Sequence, residues 1–176
     1  MKKLLTQTFL LFLTALIISA CSESEPTITG TGSGRFIDGP VEGIEFSYIQ
    51  NDKIITGKTD QDGAFTYAKG HPISFSLGGM SLGVVSASEE DNFLVTPEVL
   101  LTGGIGKEEL DDSVVNMLRF LQTLDTDANH DNGIQLPSIT INVTINFNQT
   151  TEDFETDPVL QETLISAIGE TSLTVE

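Results

Sequence analysis

Apolar residues recur at every second position from Arg35 to about Ala87, and that period constrains the fold more than any other feature of the chain. Ile44, Phe46 and Tyr48 alternate with Glu45 and Ser47; Phe65 and Tyr67 flank Thr66; Ile73, Phe75 and Leu77 flank Ser74 and Ser76; Met80, Leu82 and Val84 continue the series. Successive side chains on a strand point to opposite faces, so each set lays its apolar members on one face of a sheet. Asp38-Gly39-Pro40, Asn51-Asp52, Asp60-Gln61-Asp62-Gly63 and Gly78-Gly79 separate the sets. These residues tolerate positive φ or close their own turns. The pattern predicts short antiparallel strands folded as a small sandwich, with a hairpin at Asn51-Asp52.

A second character begins near Leu94. Thr96-Pro97-Glu98 places a capping hydroxyl before a proline at a first helical position, and Asp111, Asp112 and Ser113 offer caps for a stronger segment. Val114, Val115, Met117, Leu118, Leu121 and Leu124 then share one broad face, which predicts a helix from about Asp112 to Leu124. Its apolar stripe is expected to cover the β module, which is small by itself. Ile139, Ile141, Val143, Ile145 and Phe147 alternate with Thr140, Asn142, Thr144 and Asn146, the pattern of a half-buried strand paired on both sides or covered. Asp157-Pro158 opens a last helix that Gly169 closes. The expected class is mostly β with α: a small antiparallel β-sandwich over residues 35–90 followed by a helix-containing α/β part over 91–176.

The first twenty residues carry an address. Lys2 and Lys3 precede an apolar run from Phe9 to Ile18, and small residues stand just before Cys21, which marks residues 1–20 as a secretory signal peptide. The other reading is a retained membrane helix, but the run is short for a bilayer and no basic stop follows it. Ile18-Ser19-Ala20-Cys21 resembles the lipobox of bacterial lipoproteins. That resemblance implies cleavage before Cys21 and a covalent lipid on its thiol, and Ser22 in place of an Asp implies the outer membrane. Each buried methylene contributes about 0.8 kcal/mol, so one acyl chain binds marginally and two or three anchor durably. Cys21 is the only cysteine, which leaves no partner for an internal disulfide. Residues 21–34, rich in Ser, Thr, Gly and Glu, are expected to be a lipidated flexible tether.

Charge narrows the partners. The chain has 8 basic and 26 acidic residues, a formal net charge of -18. Taking away Lys2 and Lys3 leaves 6 basic residues and a side-chain charge of -20. Such a surface repels phosphate backbones, which excludes nucleic acid as a partner. It is suited either to plain solubility or to attracting divalent cations.

Two stretches carry a further resemblance. Gly34 to Ile44, followed by Gly57-Lys58-Thr59-Asp60-Gln61-Asp62-Gly63-Ala64-Phe65-Thr66-Tyr67, is similar to the carboxypeptidase-regulatory-like, or transthyretin-like, β-sandwich of bacterial envelope proteins. In that family the module is usually a spacer or binding scaffold, and no catalytic residue carries over. Asn116 to Asp127, with Asn132-Gly133-Ile134 after it, resembles a segment that follows such modules in uncharacterised lipoproteins and adhesin-like secreted proteins of Gram-negative bacteria.

Within that segment Asp125, Asp127, Asn129 and Asp131 place oxygen-bearing side chains at every second position directly after a helix. Four such groups suit a hard cation such as Ca2+. The loop is not an EF-hand, because His130 stands where Gly belongs and Leu136 where the bidentate Glu belongs. The competing reading is a solvated acidic turn at the helix end. Asp there opposes the helix dipole, and a bound cation would offset that cost.

The search for catalysis is mostly negative. Gly79-Met80-Ser81-Leu82-Gly83 fits G-x-S-x-G, but a nucleophile elbow needs a helix after the serine and Val84-Val85-Ser86 continues as strand. His71 precedes Pro72 in an expected turn, and no phosphate-binding loop or dinucleotide fingerprint is present. The functional expectation is a non-catalytic outer-membrane or surface lipoprotein. It would hold the membrane through its N-terminal lipid and meet a protein or glycan at the cell surface. The alternatives are an accessory or assembly subunit of an envelope complex and, less in keeping with the residues, a small hydrolase.

Overall fold

The structure, a computed structural model, describes residues 30–102 and 111–169, together with Leu173. The leader, Cys21 and most of the expected tether lie outside the described residues. The described residues begin with seven strands: β1 (Thr31–Phe36), β2 (Val41–Glu42), β3 (Glu45–Gln50), β4 (Lys53–Lys58), β5 (Ala64–Ala68), β6 (Pro72–Leu77) and β7 (Met80–Ser86). β8 (Phe93–Val95), α1 (Pro97–Thr102), α2 (Asp112–Thr123), β9 (Ile134–Gln135), α3 (Thr151–Glu155) and α4 (Pro158–Ile168) follow.

The period of two produces two sheets. One is antiparallel in the order β4-β3-β6-β7, and its register sets Phe46 opposite Phe75 and Tyr48 opposite Ile73 on the buried face. Asn51 and Asp52 both take positive φ, 50° and 60°, the two-residue turn whose twist matches a hairpin. The other sheet runs β5-β1-β8, with β1 antiparallel to β5 and parallel to β8. Phe65 meets Phe75 across the two sheets edge to face, with ring centroids 5.1 Å apart, and Phe36 meets Phe75 at 5.6 Å. Tyr67, fully buried beside them, donates to the Glu90 carbonyl; burial and then the Asp91 charge push its phenol above the ordinary range.

Two details depart from the sequence expectations here. β1 starts at Thr31, so residues 31–34 of the expected tether are strand. Its glycines are a packing requirement: a Cβ on Gly32 would stand 2.5 Å from the Tyr67 ring, and one on Gly34 would stand 2.6 Å from that of Phe65. On β7 the apolar series does not run through Val84, which is exposed; Val85 is buried instead. The β6–β7 pairing shifts register between Phe75 and Ser76, and that irregularity moves the inward position by one residue.

Three of the four described helices form where their caps predict, and α3, which Thr150 caps by accepting from the Asp153 N–H, is not among the expected ones. Thr96 accepts from the Val99 N–H, Asp111 from the Ser113 N–H, and Asp157 from the N–H groups of Val159 and Leu160. Gly169 closes α4 in the left-handed conformation with φ of 79°. α2 turns Val114, Met117, Phe120 and Leu121 inward, and Arg119 holds Glu155 of α3 at 2.6 Å. β9 returns to pair in parallel with β2, setting Val41 opposite Ile134. Apart from Val114, the buried apolar residues among those described form one cluster that runs from Phe36 to Leu173. The expected division at residue 90 therefore separates stretches of sequence that share a core.

Residues 139–147, expected as a strand, belong to no sheet. Ile141, Ile145 and Phe147 are buried, but the chain bends at Val143, which is 46% exposed. Burial is met by laying one face on the core, Phe147 packing between Phe120 and Phe154 at 5.7 Å from each. In place of a neighbouring strand, the fully buried Asn116 donates its side-chain amide to the carbonyls of Phe147 and Gln149 at 3.0 and 2.9 Å.

Candidate functional site

The acidic loop leaves the end of α2, where the Leu124 N–H still bonds helix carbonyls, and enters β9 through a 3-10 turn, His130–Asn132. Half-buried Asp125 accepts the backbone N–H of Gln135 through Oδ1 at 2.9 Å. Exposed Asp127 accepts three donors: the Asn129 N–H at 3.0 Å on Oδ1, and the side-chain amides of Asn132 at 2.8 Å and Gln135 at 3.0 Å on Oδ2. Asn129 accepts from the Asp131 N–H at 3.3 Å.

Asp125 and Asp127 therefore meet around Gln135, while Asn129 and Asp131 build the turn between them. Among the described residues no group of three or more His, Cys, Asp or Glu side chains is placed to hold a metal ion. The alternating spacing that suits a cation loop is equally the spacing of successive turns closed by Asx side chains, in which each oxygen accepts an N–H two residues on. The loop's mechanical effect is to hand the chain to β9. Ile134 and Leu136 donate to the carbonyls of Pro40 and Glu42 at 2.8 and 3.1 Å, so the loop ties α2 to β2.

Beside this junction a polar hollow of about 420 Å³ opens between Glu42, Lys58, Thr126, Gln135 and Pro137. Lys58 is engaged with Glu45 at 3.3 Å on the sheet. Thr59 beneath it is buried, accepts from the Ile44 N–H at 3.0 Å and donates to the Val41 carbonyl at 2.6 Å. Thr59 and Asn116 both stand inside the two stretches that carry resemblances, yet nothing in the sequence marks either as a buried hydrogen-bonding residue, because their partners are backbone groups 15 or more positions away.

A larger concavity lies elsewhere. A groove of about 550 Å³ runs between residues 138–143 and α4, with Ile139 and Val143 on one wall and Val159, Thr163 and Ala167 on the other. Among the described residues Glu162 is the one ionisable side chain that lines it. Val143 and Val159, 46% and 41% exposed, are apolar residues open to solvent at its walls.

The serine and histidine weighed for catalysis are placed as sheet and turn. Ser81 sits exposed on β7, which continues to Ser86, so no strand-to-helix elbow presents it. His71 is exposed, its N–H donating to the Ala68 carbonyl in the turn before β6. Compared with known proteins, the chain matches no family model, no curated protein and no solved structure.

Proposed function

We propose that this chain is an outer-membrane lipoprotein whose folded part is a non-catalytic binding or structural module at the cell envelope. The observation that carries the reading is Cys21, the only cysteine, set directly after a basic start, an apolar run and the small residues Ser19 and Ala20. The structure is compatible with that arrangement, since β1 begins ten residues beyond the cysteine, leaving a short acidic link between lipid and fold. A two-sheet sandwich with an Asp-Gly turn at Asp60 to Gly63 also suits the scaffold role that the transthyretin-like resemblance implies. A strongly acidic composition and a groove with a single ionisable lining residue among the described ones favour binding over chemistry.

Metabolic labelling with a clickable palmitate analogue tests the anchor. Wild-type protein should carry the label and Cys21→Ser should not, because only the thiol accepts the diacylglycerol. Equal labelling of the two would overturn the lipoprotein reading.

A further inference from the structure

We propose that the groove between residues 138–143 and α4 binds an extended, basic peptide of a partner protein as an added β-strand. This deepens the binding-module reading and rests on it.

Residues 139–147 have the composition of a strand without the ladder of one. Their β-branched residues alternate with Thr and Asn, and only the Ile141 N–H makes a backbone bond across to another stretch, to the Gly78 carbonyl at 2.7 Å. Among the described residues the other backbone groups of 138–143 have no backbone partner. A stretch of this kind is a template for strand addition, in which main-chain bonds supply affinity and alternate side chains supply specificity.

The opposite wall fits such a guest. α4 has 11 residues, a length of about 16 Å at 1.5 Å per residue, which a strand of about five residues matches at 3.3 Å each. Thr163, Ser166 and Ala167 keep that wall low, and Val143 and Val159 give the guest's apolar side chains something to cover. Charge selects among extended peptides. Among the described residues Glu162 is the one ionisable group lining the groove, and the sequence as a whole carries a net charge of -18, so a lysine- or arginine-bearing segment is drawn in and an acidic one is repelled.

The test uses full-length protein in detergent and a fluorescein-labelled short peptide of alternating valine and threonine with lysine at both ends. Anisotropy should report saturable binding, and hydrogen exchange should slow over 138–143 when the peptide is present. Affinity should fall about tenfold or more when the central residue is proline, which removes a ladder donor, and likewise when glutamate replaces the terminal lysines. On the protein, exposed Ser166→Trp should block the groove and Glu162→Lys should reverse the preference between the lysine and glutamate peptides. Four results would overturn the proposal: no saturable binding of the lysine peptide; binding indifferent to the proline and to Glu162→Lys; self-association lost in Ser166→Trp, which makes a second copy the occupant; or slow exchange over 138–143 in the free protein, which makes the chain's own residues the occupant. Each leaves the acylation of Cys21 standing or falling by its own label.

Discussion

Gly63 shows how one residue fixes a turn and a sheet junction together. Its φ is 69°, and a Cβ there would stand 2.3 Å from the Phe36 carbonyl oxygen while Phe36 donates to the Gly63 carbonyl at 2.8 Å. Asp60 Oδ1 closes the same turn by accepting the N–H groups of Asp62 and Ala64 at 2.9 and 2.8 Å. Gly63→Ala should therefore cost about 3 kcal/mol, the left-handed strain plus a clash with backbone that cannot swing aside. Gly169→Ala, at φ of 79° with nothing within 4 Å, should cost only about 1 kcal/mol. Chemical denaturation of the two variants checks the difference, and equal costs would misplace the turn. Asp127 makes a second residue-scale prediction. Asp127→Ala removes the acceptor of three exposed donors and should cost about 1 kcal/mol. The loss should be the same in chelator and in millimolar calcium, whereas a loss seen only with calcium would make the loop a cation site. The Asp60 to Gly63 turn was legible because its chemistry is local. The packing role of Gly32 and Gly34 was not, because the rings over them belong to residues more than thirty positions away.

At the scale of elements, caps read true and alternation read only in part. Asp157 opens α4, and the Gln149 side-chain amide, together with the N–H groups of Val159 and Leu160, holds its carboxyl below the ordinary range against the opposing effect of burial. A folded-state value below the unfolded one adds stability that is complete above the usual Asp range, near 3.9, and is lost as pH falls through the lowered value. Asp157→Asn keeps a good cap but removes that charge. The gap in melting temperature between wild type and Asp157→Asn should be constant from neutral pH to about pH 5 and narrow below about pH 4. A gap that stays constant to the acid limit would mean the charge adds nothing. Residues 139–147 mark the limit of alternation as a signal. It reports that one face is buried and leaves open whether the backbone has neighbours. Asn116 supplies the missing neighbour from α2, so Asn116→Ala should cost about 2–4 kcal/mol by stranding two carbonyls and opening a cavity. The same variant should raise hydrogen exchange around Phe147 more than around β3.

For the molecule as a whole, the returning pairs decide how it unfolds. β8 lies parallel to β1 and β9 parallel to β2, so the sandwich is completed by residues that follow it in sequence. The apolar period changes near residue 90, and a change of period marks a change of element without marking where a core ends. Val95, Leu100, Met117, Phe120, Leu121 and Leu124 are all buried in the cluster that holds Phe36 and Phe75. A buried side chain of this size contributes about 1.5–3 kcal/mol. Four of them equal the whole stability of an ordinary domain, about 5–15 kcal/mol. A chain ending at residue 90 should therefore lack a cooperative melt and bind a hydrophobic dye, having lost β8 from one sheet and the packing of α1 on β7 of the other. The full chain should unfold in one transition whose calorimetric and van't Hoff enthalpies agree. Two resolved transitions, or a sharp melt in the shortened chain, would show that the β module stands alone and that the later helices are an attachment to it.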